Sequence, residues 1–262
     1  MPMGAKKPTI GLALGSGGAR GFAHIGVLKT LTEAGVRIDY LAGSSMGALV
    51  ATMYGVGHSV ETMEIFAKRF KRKYYLDFTV SKQGLIAGQK IESLIRLLAK
   101  RKKLESLFPP VQVVATDLLS GQKVVMSKGD VAKAVRASLS IPGIFVPVQQ
   151  DGQLLVDGGV VERVPVSVVR QMGADIVIAV DVSYFRTTLT SPSIYEILMQ
   201  TMDVMGRELA RKQEHAGDIL LRPILKHSSP LDFSETDQLI KQGADACREQ
   251  LPGILKLIDQ WR

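Results

Sequence analysis

Cysteine occurs once, at Cys247, which excludes an internal disulfide framework and any zinc site built on several thiolates. Histidine is also scarce: His24, His58, His215 and His227 are the only four, so chemistry that needs imidazole has few places to be built. Long apolar runs are missing. After the basic N-terminal tail of residues 1–8, the apolar stretch runs only from Ile10 to Leu14 before a glycine cluster with Arg20, too short for a signal peptide. Between Tyr40 and Val60 there is no Asp, Glu, Lys or Arg, yet Gly43, Ser44, Ser45, Gly47, Gly55, Gly57, His58 and Ser59 interrupt the stretch, whereas a membrane span needs about 20 predominantly apolar residues. No repeat of fixed period and no low-complexity linker is visible. These absences lead to the expectation of a soluble, cytoplasmic protein in a reducing compartment, with no metal and no cofactor.

What is present is a chain of 262 residues, 46% hydrophobic and 22% charged, with a net charge of +8. Such a composition folds, and its length suits one large domain. The basic excess predicts attraction to an anionic partner, either nucleic acid or a phospholipid surface.

Short runs rich in β-branched residues alternate with helical patterns, the layout of an α/β sheet with helices on both faces. The patterns predict strands at 9–14, 40–42, 112–116, 123–126, 153–156, 176–181 and 219–222, and helices at 18–34, 46–54, 90–103, 131–138, 166–172, 193–214 and 235–259. The first helix is expected to turn Ile25, Leu28, Leu31 and Thr32 to one side. One domain over 9–262 is the simplest account, and residues 61–107 interrupt its alternation as a cap-like insertion. Two basic clusters lie there, Lys68 to Lys73 and Lys100 to Lys103, beside Leu85, Ile86, Ile91, Leu94, Ile95 and Leu98. They read either as solvated helix faces or as a positive edge that meets anionic head groups. No nucleic-acid motif accompanies the charge, so no nucleic acid is expected.

Three constellations carry chemistry. The first, Gly15-Ser16-Gly17-Gly18-Ala19-Arg20-Gly21, stands between a strand and a helix, where glycines let the backbone approach a ligand and free N–H groups point at negative charge. A dinucleotide fingerprint fails on its spacing, and Asp39 precedes the second strand instead of following it. The second, Gly43-Ser44-Ser45-Met46-Gly47, fits a nucleophile elbow, in which a sharp strand-to-helix turn exposes a serine hydroxyl; Ser45 is the nucleophile candidate. None of the four histidines is well set to be its base. His24 lies inside the first helix and His58 about three turns from Ser45. His215 and His227 have the chain order of an α/β-hydrolase without a suitable loop setting. Ser120-Gly121-Gln122-Lys123 offers a Ser-Lys pair, but in a hairpin turn. A carboxylate can act directly, and the third constellation, Asp157-Gly158-Gly159, supplies one at a strand end. Asp117 and Asp181 also stand at strand ends, and position does not choose among the three. A carboxyl with a pKa of about 4 would need a desolvated pocket to serve as a base.

A glycine-rich loop, an elbow serine and a later Asp-Gly-Gly, in this order, resemble the patatin-like phospholipase family. The blocks Arg20-Gly21-Phe22-Ala23-His24-Ile25-Gly26-Val27-Leu28 and Ala137-Ser138-Leu139-Ser140-Ile141-Pro142-Gly143-Ile144-Phe145-Val146-Pro147 extend the resemblance over 9–182. It implies a three-layer α/β/α fold with a mostly parallel central sheet and a Ser-Asp dyad without histidine. Ser45 would attack an ester carbonyl, Asp157 would take and return its proton, and N–H groups near Gly17, Gly18 and Arg20 would form the oxyanion hole. It also implies a lipid ester substrate and peripheral contact with an anionic membrane. Two departures stand out: Ser16 replaces a glycine common in the family's loop, and Glu162-Arg163 follows Asp-Gly-Gly where asparagine is frequent. A histidine-dependent hydrolase and a non-enzymatic regulatory protein that keeps the fold are the alternatives. Acyl chain, head group and oligomeric state are not legible.

Overall fold

The computed structural model describes residues 7–70, 76–184, 193–212, 217–224 and 233–261. The chain runs β1 (Ile10–Leu14), a 3₁₀ turn (Gly18–Phe22), α1 (Ala23–Glu33), β2 (Tyr40–Ser44), α2 (Met46–Val56), α3 (Val60–Arg69), β3 (Gly84–Ile86) and α4 (Gln89–Leu98). It continues through β4 (Val111–Asp117), β5 (Lys123–Met126), α5 (Val131–Ser138), β6 (Gly143–Phe145), β7 (Val148–Gln150), β8 (Gln153–Asp157) and a 3₁₀ turn (Gly158–Val160). The last elements are α6 (Val166–Gln171), β9 (Ile176–Val180), α7 (Ile194–Lys212), β10 (Ile219–Leu221) and α8 (Thr236–Gln260). Among the described residues, no helix is long and apolar enough to cross a membrane.

The main sheet has the order β10-β9-β1-β2-β4-β8-β7, with β5 also paired to β4. From β10 to β4 all neighbours are parallel, and β5 and β8 run antiparallel to β4. A small parallel pair, β3 with β6, stands apart. The strands at the centre are buried on both faces, as a parallel sheet covered by helices requires. Side chains alternate across β1: Leu12 and Leu14 enter the large core, while Ala13 joins a thinner one with Ala42, Ala179 and the α6 valines. Small residues let α6 lie close to the sheet; a Cβ on Gly11 would stand 2.1 Å from Val169 Cγ1. On the other face α1 and α8 cross at two glycines. A Cβ on Gly26 would be 1.9 Å from Ile240 O, and one on Gly243 would be 1.8 Å from Ala23 O.

Most expected elements are present, and the differences have local causes. The helix expected at 18–34 divides into the 3₁₀ turn, which Gly18 opens with a left-handed φ of 59°, and α1 from Ala23. Thr32 is exposed and does not join Ile25, Leu28 and Leu31 in the core. The helix expected at 90–103 stops at Leu98, with Lys100 and Arg101 in left-handed conformation. The elements α3, β3, β6 and β7 were not expected; the three strands are only three residues long.

Candidate active site

Ser45 sits between β2 and α2 with φ 55° and ψ −123°, a strained backbone for a residue with a side chain, costing on the order of 1–3 kcal/mol. Its surroundings enforce the turn. The Ser45 N–H donates to Ser138 Oγ at 2.8 Å, and Ser138 Oγ donates onward to Val114 O at 2.6 Å. The flanking glycines are sterically required: a Cβ on Gly43 would lie 2.4 Å from Ala48 Cα, and one on Gly47 only 2.1 Å from Leu14 O.

Topology delivers the carboxylate. Strand β4 pairs along one edge with β2 as far as Ser44↔Val114, and then with β8 from Asp157↔Ala115. Because β5 holds Val113 to Thr116 from the opposite edge, β2 and β8 must share an edge and meet end to end. Ser45 Oγ donates to Asp157 Oδ2 at 2.5 Å. The Gly159 N–H donates to the other carboxylate oxygen at 2.8 Å, the Asp157 N–H donates to Ser140 O at 2.9 Å, and Thr116 Oγ1 donates to Asp157 O at 3.0 Å. Gly158 has no room for a side chain, since a Cβ would be 2.3 Å from Val114 O. Burial pushes the Asp157 carboxyl up to about 6, against the opposing pull of its hydrogen bonds from Ser45 and Gly159 and of the Arg163 charge.

The other sequence candidates are occupied elsewhere. Asp117 accepts from Ser120 Oγ at 2.6 Å, which holds its carboxyl below the usual range, and Asp181 caps Ser183 N at 2.9 Å. Lys123 bonds Ser167 and Glu162, so Ser120 and Lys123 do not form a nucleophile and base pair. His58 Nε2 bonds Leu98 O at 2.7 Å. His24 Nε2 lies 2.8 Å from Gly15 O, and burial lowers its pKa to about 4, so the neutral ring donates to that carbonyl. His215 and His227 fall outside the described residues.

The glycine loop faces the elbow. Its first N–H groups are used in the fold, Gly15 to Val180 O and Ser16 to Arg163 O, both at 3.0 Å. Those of Gly17 and Gly18 meet no acceptor among the described residues. Arg20 turns its buried guanidinium inward, with Nε donating to Gly17 O at 3.1 Å. Gly18 and Ser45 line one cavity of about 310 Å³, within the usual size range of ligand cavities. Ser45 apart, its described walls are apolar or glycine: Met46, Leu49, Phe70, Leu76, Phe78, Leu85, Ile86, Ile91, Leu139, Ile141, Ile144, Phe145 and Phe233. A void of about 50 Å³ adjoins it, sharing Leu49, Phe70 and Ile91 and passing between α2, α3 and α4.

A sequence model described as patatin-like phospholipase matches residues 12–170, which contain the glycine loop, the elbow and Asp157. The chain belongs to the patatin-like phospholipase family. An uncharacterized NTE family protein of Mycobacterium tuberculosis is 39% identical over 183 residues, 69% of this chain and 51% of that protein. The mouse patatin-like phospholipase domain-containing protein 7 is 36% identical over 191 residues, 70% of this chain and 14% of the mouse protein. The chain thus spans about half the length of the mycobacterial relative and a small part of the mammalian one. In fold it is similar to VipD from Legionella pneumophila, with a TM-score of 0.65 at 12% identity, covering 94% of this chain and 67% of that one. The type III effector protein ExoU gives 0.54 at 14% identity, covering 95% and 53%.

Within this family member, three residues that shape the site escaped sequence reasoning. Ser138 anchors the elbow, as described above. Buried Arg136 donates to Gly88 O at 3.1 Å, Ala87 O at 2.8 Å, Val146 O at 2.7 Å and Ser140 Oγ at 2.5 Å, tying the turn between β3 and α4 to the loop before β7. Asp203, on α7, is buried against Arg20 and Arg163. A polar residue inside an otherwise apolar helix face was the available signal for Asp203. Of the two departures from the family pattern, Ser16 packs its Oγ beside Gly159, where a Cβ would come within 2.4 Å. Glu162 pairs with Lys123 and Arg163 with Asp203, so both turn away from the cavity lining.

Proposed function

We propose that this protein is a serine acyl hydrolase acting on lipid esters, with Ser45 as nucleophile and Asp157 as its base. The observation that carries this reading is the 2.5 Å hydrogen bond from Ser45 Oγ to Asp157 Oδ2 beside an apolar cavity. Family membership supports the substrate class. Ser45 Oγ attacks the ester carbonyl carbon while its proton passes to Asp157. The tetrahedral oxyanion is held by N–H groups of the glycine loop at Gly17, Gly18 and Arg20, each such donor being worth about 3 kcal/mol of barrier. Asp157 then protonates the departing alcohol. Water, deprotonated by the same carboxylate, releases the acyl group as a fatty acid and restores Ser45. An aspartate suffices because its raised pKa of about 6 leaves it ionised at neutral pH yet a better base than an exposed carboxylate.

The cavity takes the acyl chain, and the 61–107 insertion serves as its cap. Phe78 and Leu85 line the cavity and are also 77% and 54% exposed, and Val80 beside them is fully exposed. This apolar rim is where the protein meets a lipid surface. Lys100 to Lys103 are not part of it: Lys102 Nζ donates to Val56 O at the far end of α2, about 16 Å from Ser45 by helix rise. Labelling with a serine-directed phosphonate and peptide mapping test the mechanism. Label on Ser45 in the wild type and none in Ser45→Ala is the expected result; label that persists in Ser45→Ala overturns it. Near-normal turnover in His215→Ala and His227→Ala separates the dyad from a histidine-dependent enzyme.

A further inference from the structure

The buried carboxylate of Asp203 links two parts of the site that are distant in sequence. On one side, Arg20 NH2 donates to Asp203 Oδ2 at 2.9 Å and to Oδ1 at 3.3 Å, while Arg20 Nε holds Gly17 O and NH1 donates to Tyr184 O at 3.1 Å. On the other, Arg163 NH2 makes an ion pair with Asp203 Oδ1. Arg163 belongs to the turn that follows Asp157, and its carbonyl accepts the Ser16 N–H. The side chains of Arg20, Asp203 and Arg163 are only 2%, 3% and 7% exposed, so water does not screen the charges. Gly206, one turn along α7, makes the approach possible, since a Cβ there would lie 3.0 Å from Arg163 Cδ.

We propose that Asp203 is a positioning residue for hydrolysis: by bracing Arg20 and Arg163 together, it holds the glycine loop and the Asp157 turn in register. The inference rests on the Ser45–Asp157 reading above. The bracing acts on the Gly17 carbonyl, and so on the peptide that carries the Gly18 N–H, which must be aimed before charge develops on the substrate. Electrostatics adds a second, separable effect. Arg163 favours the ionised form of Asp157, and Asp203 offsets part of that positive charge. The other charged groups nearby are committed: Glu162 pairs with Lys123, and His24 is neutral.

The test uses the full chain, a p-nitrophenyl ester, and pH profiles of kcat/KM for wild type, Ser45→Ala, Asp203→Asn, Asp203→Glu and Arg163→Met, with circular dichroism to establish folding. In Asp203→Asn, kcat should fall roughly 10- to 100-fold with KM changed less than about threefold, the pattern for an interaction realised in the transition state. The acid limb of its profile should move to lower pH, because the Arg163 charge is no longer offset. Arg163→Met should move the limb the opposite way, and Asp203→Glu should recover most of kcat. An Asp203→Asn enzyme with wild-type kcat and acid limb overturns the proposal. If Asp203→Asn does not fold, kcat of Arg163→Met decides, because that variant also breaks the brace: a wild-type kcat overturns the proposal, and a fall of roughly tenfold or more with KM little changed supports it. Hydrolysis that survives in Ser45→Ala instead defeats the dyad itself, so the two failures are distinguishable.

Discussion

Ser45 and Asp157 are 112 residues apart in sequence and meet because two oppositely directed strands end against each other on one edge of β4. Strand β2 stops at Ser44 opposite Val114, and β8 stops at Asp157 opposite the next residue, Ala115. Each strand end is followed by a helical turn, and glycines remove the side chains that would keep the turns apart. The hydroxyl and the carboxylate are therefore set by main-chain pairing, the stiffest part of the fold, with Ser138 bonding both the elbow and β4.

The raised pKa of Asp157 gives opposite consequences for activity and stability. On the proposed mechanism, activity should rise with pH through about 6 as Asp157 ionises. Stability runs the other way: a carboxyl whose folded pKa exceeds its unfolded value contributes most below about 4 and loses that contribution as pH rises through about 6. Asp157→Asn should thus be inactive yet more stable than wild type at pH 8, by up to roughly 3 kcal/mol, with the difference shrinking toward pH 4. Urea unfolding at both pH values measures it.

Ser138→Ala should leave the buried Ser45 N–H and Val114 carbonyl without their shared partner. A loss of about 1–3 kcal/mol is expected for such unsatisfied groups. Because the lost bond fixes the elbow, kcat should fall as well, whereas Ser138→Thr, which keeps the hydroxyl, should retain more of both. Unfolding curves and steady-state kinetics on the same preparations distinguish these outcomes.

Glycines in α8 should differ in kind. Gly243→Ala forces a Cβ against Ala23 O and should weaken the α1–α8 packing, lowering the melting temperature. Gly253→Ala meets nothing within 4 Å and should stabilise the helix by about 1 kcal/mol. Thermal melts of the two variants should shift in opposite directions.

Chain-length preference should respond to the void behind the cavity. Ile91 and Leu49 stand where the two spaces join, so Leu49→Trp should fill the passage. Hydrolysis of long-chain p-nitrophenyl esters should drop much more than that of the butyrate. Equal losses on both would place the acyl chain elsewhere.

Binding to anionic vesicles should depend on the exposed rim and not on the distant basic run. A Phe78→Ser, Val80→Ser, Leu85→Ser variant should lose most sedimentation with vesicles, while neutralising Lys100 to Lys103 should leave it nearly unchanged. The reverse result would move the lipid contact to the C-terminal end of α2.

The sequence alone carried the local decisions. Ile10–Leu14, Lys123–Met126 and Val131–Ser138 announce their state through runs and periodicity of apolar residues, and Gly43-Ser44-Ser45-Met46-Gly47 announces a turn that only small neighbours permit. Short elements were less legible: β3 and β6 have three residues each and exist because they pair with one another. The apolar residues of 85–98, which lie beside the basic clusters in the sequence, divide in the fold: Ile86, Ile91 and Ile95 are buried, whereas Leu85 and Leu97 are more than half exposed.

Which aspartate faces Ser45 was a tertiary decision. Asp117 and Asp157 end strands and Asp181 directly follows one, and a strand end has no address until the sheet order gives it one. The same holds for Asp203, whose neighbours Arg20 and Arg163 come from loops 183 and 40 residues away in sequence. Propensity and turn chemistry act over a few residues and are written locally. The dielectric around a carboxylate, the partner of a buried charge and the wall of a cavity are set by atoms from many segments at once, and only the folded chain assembles them.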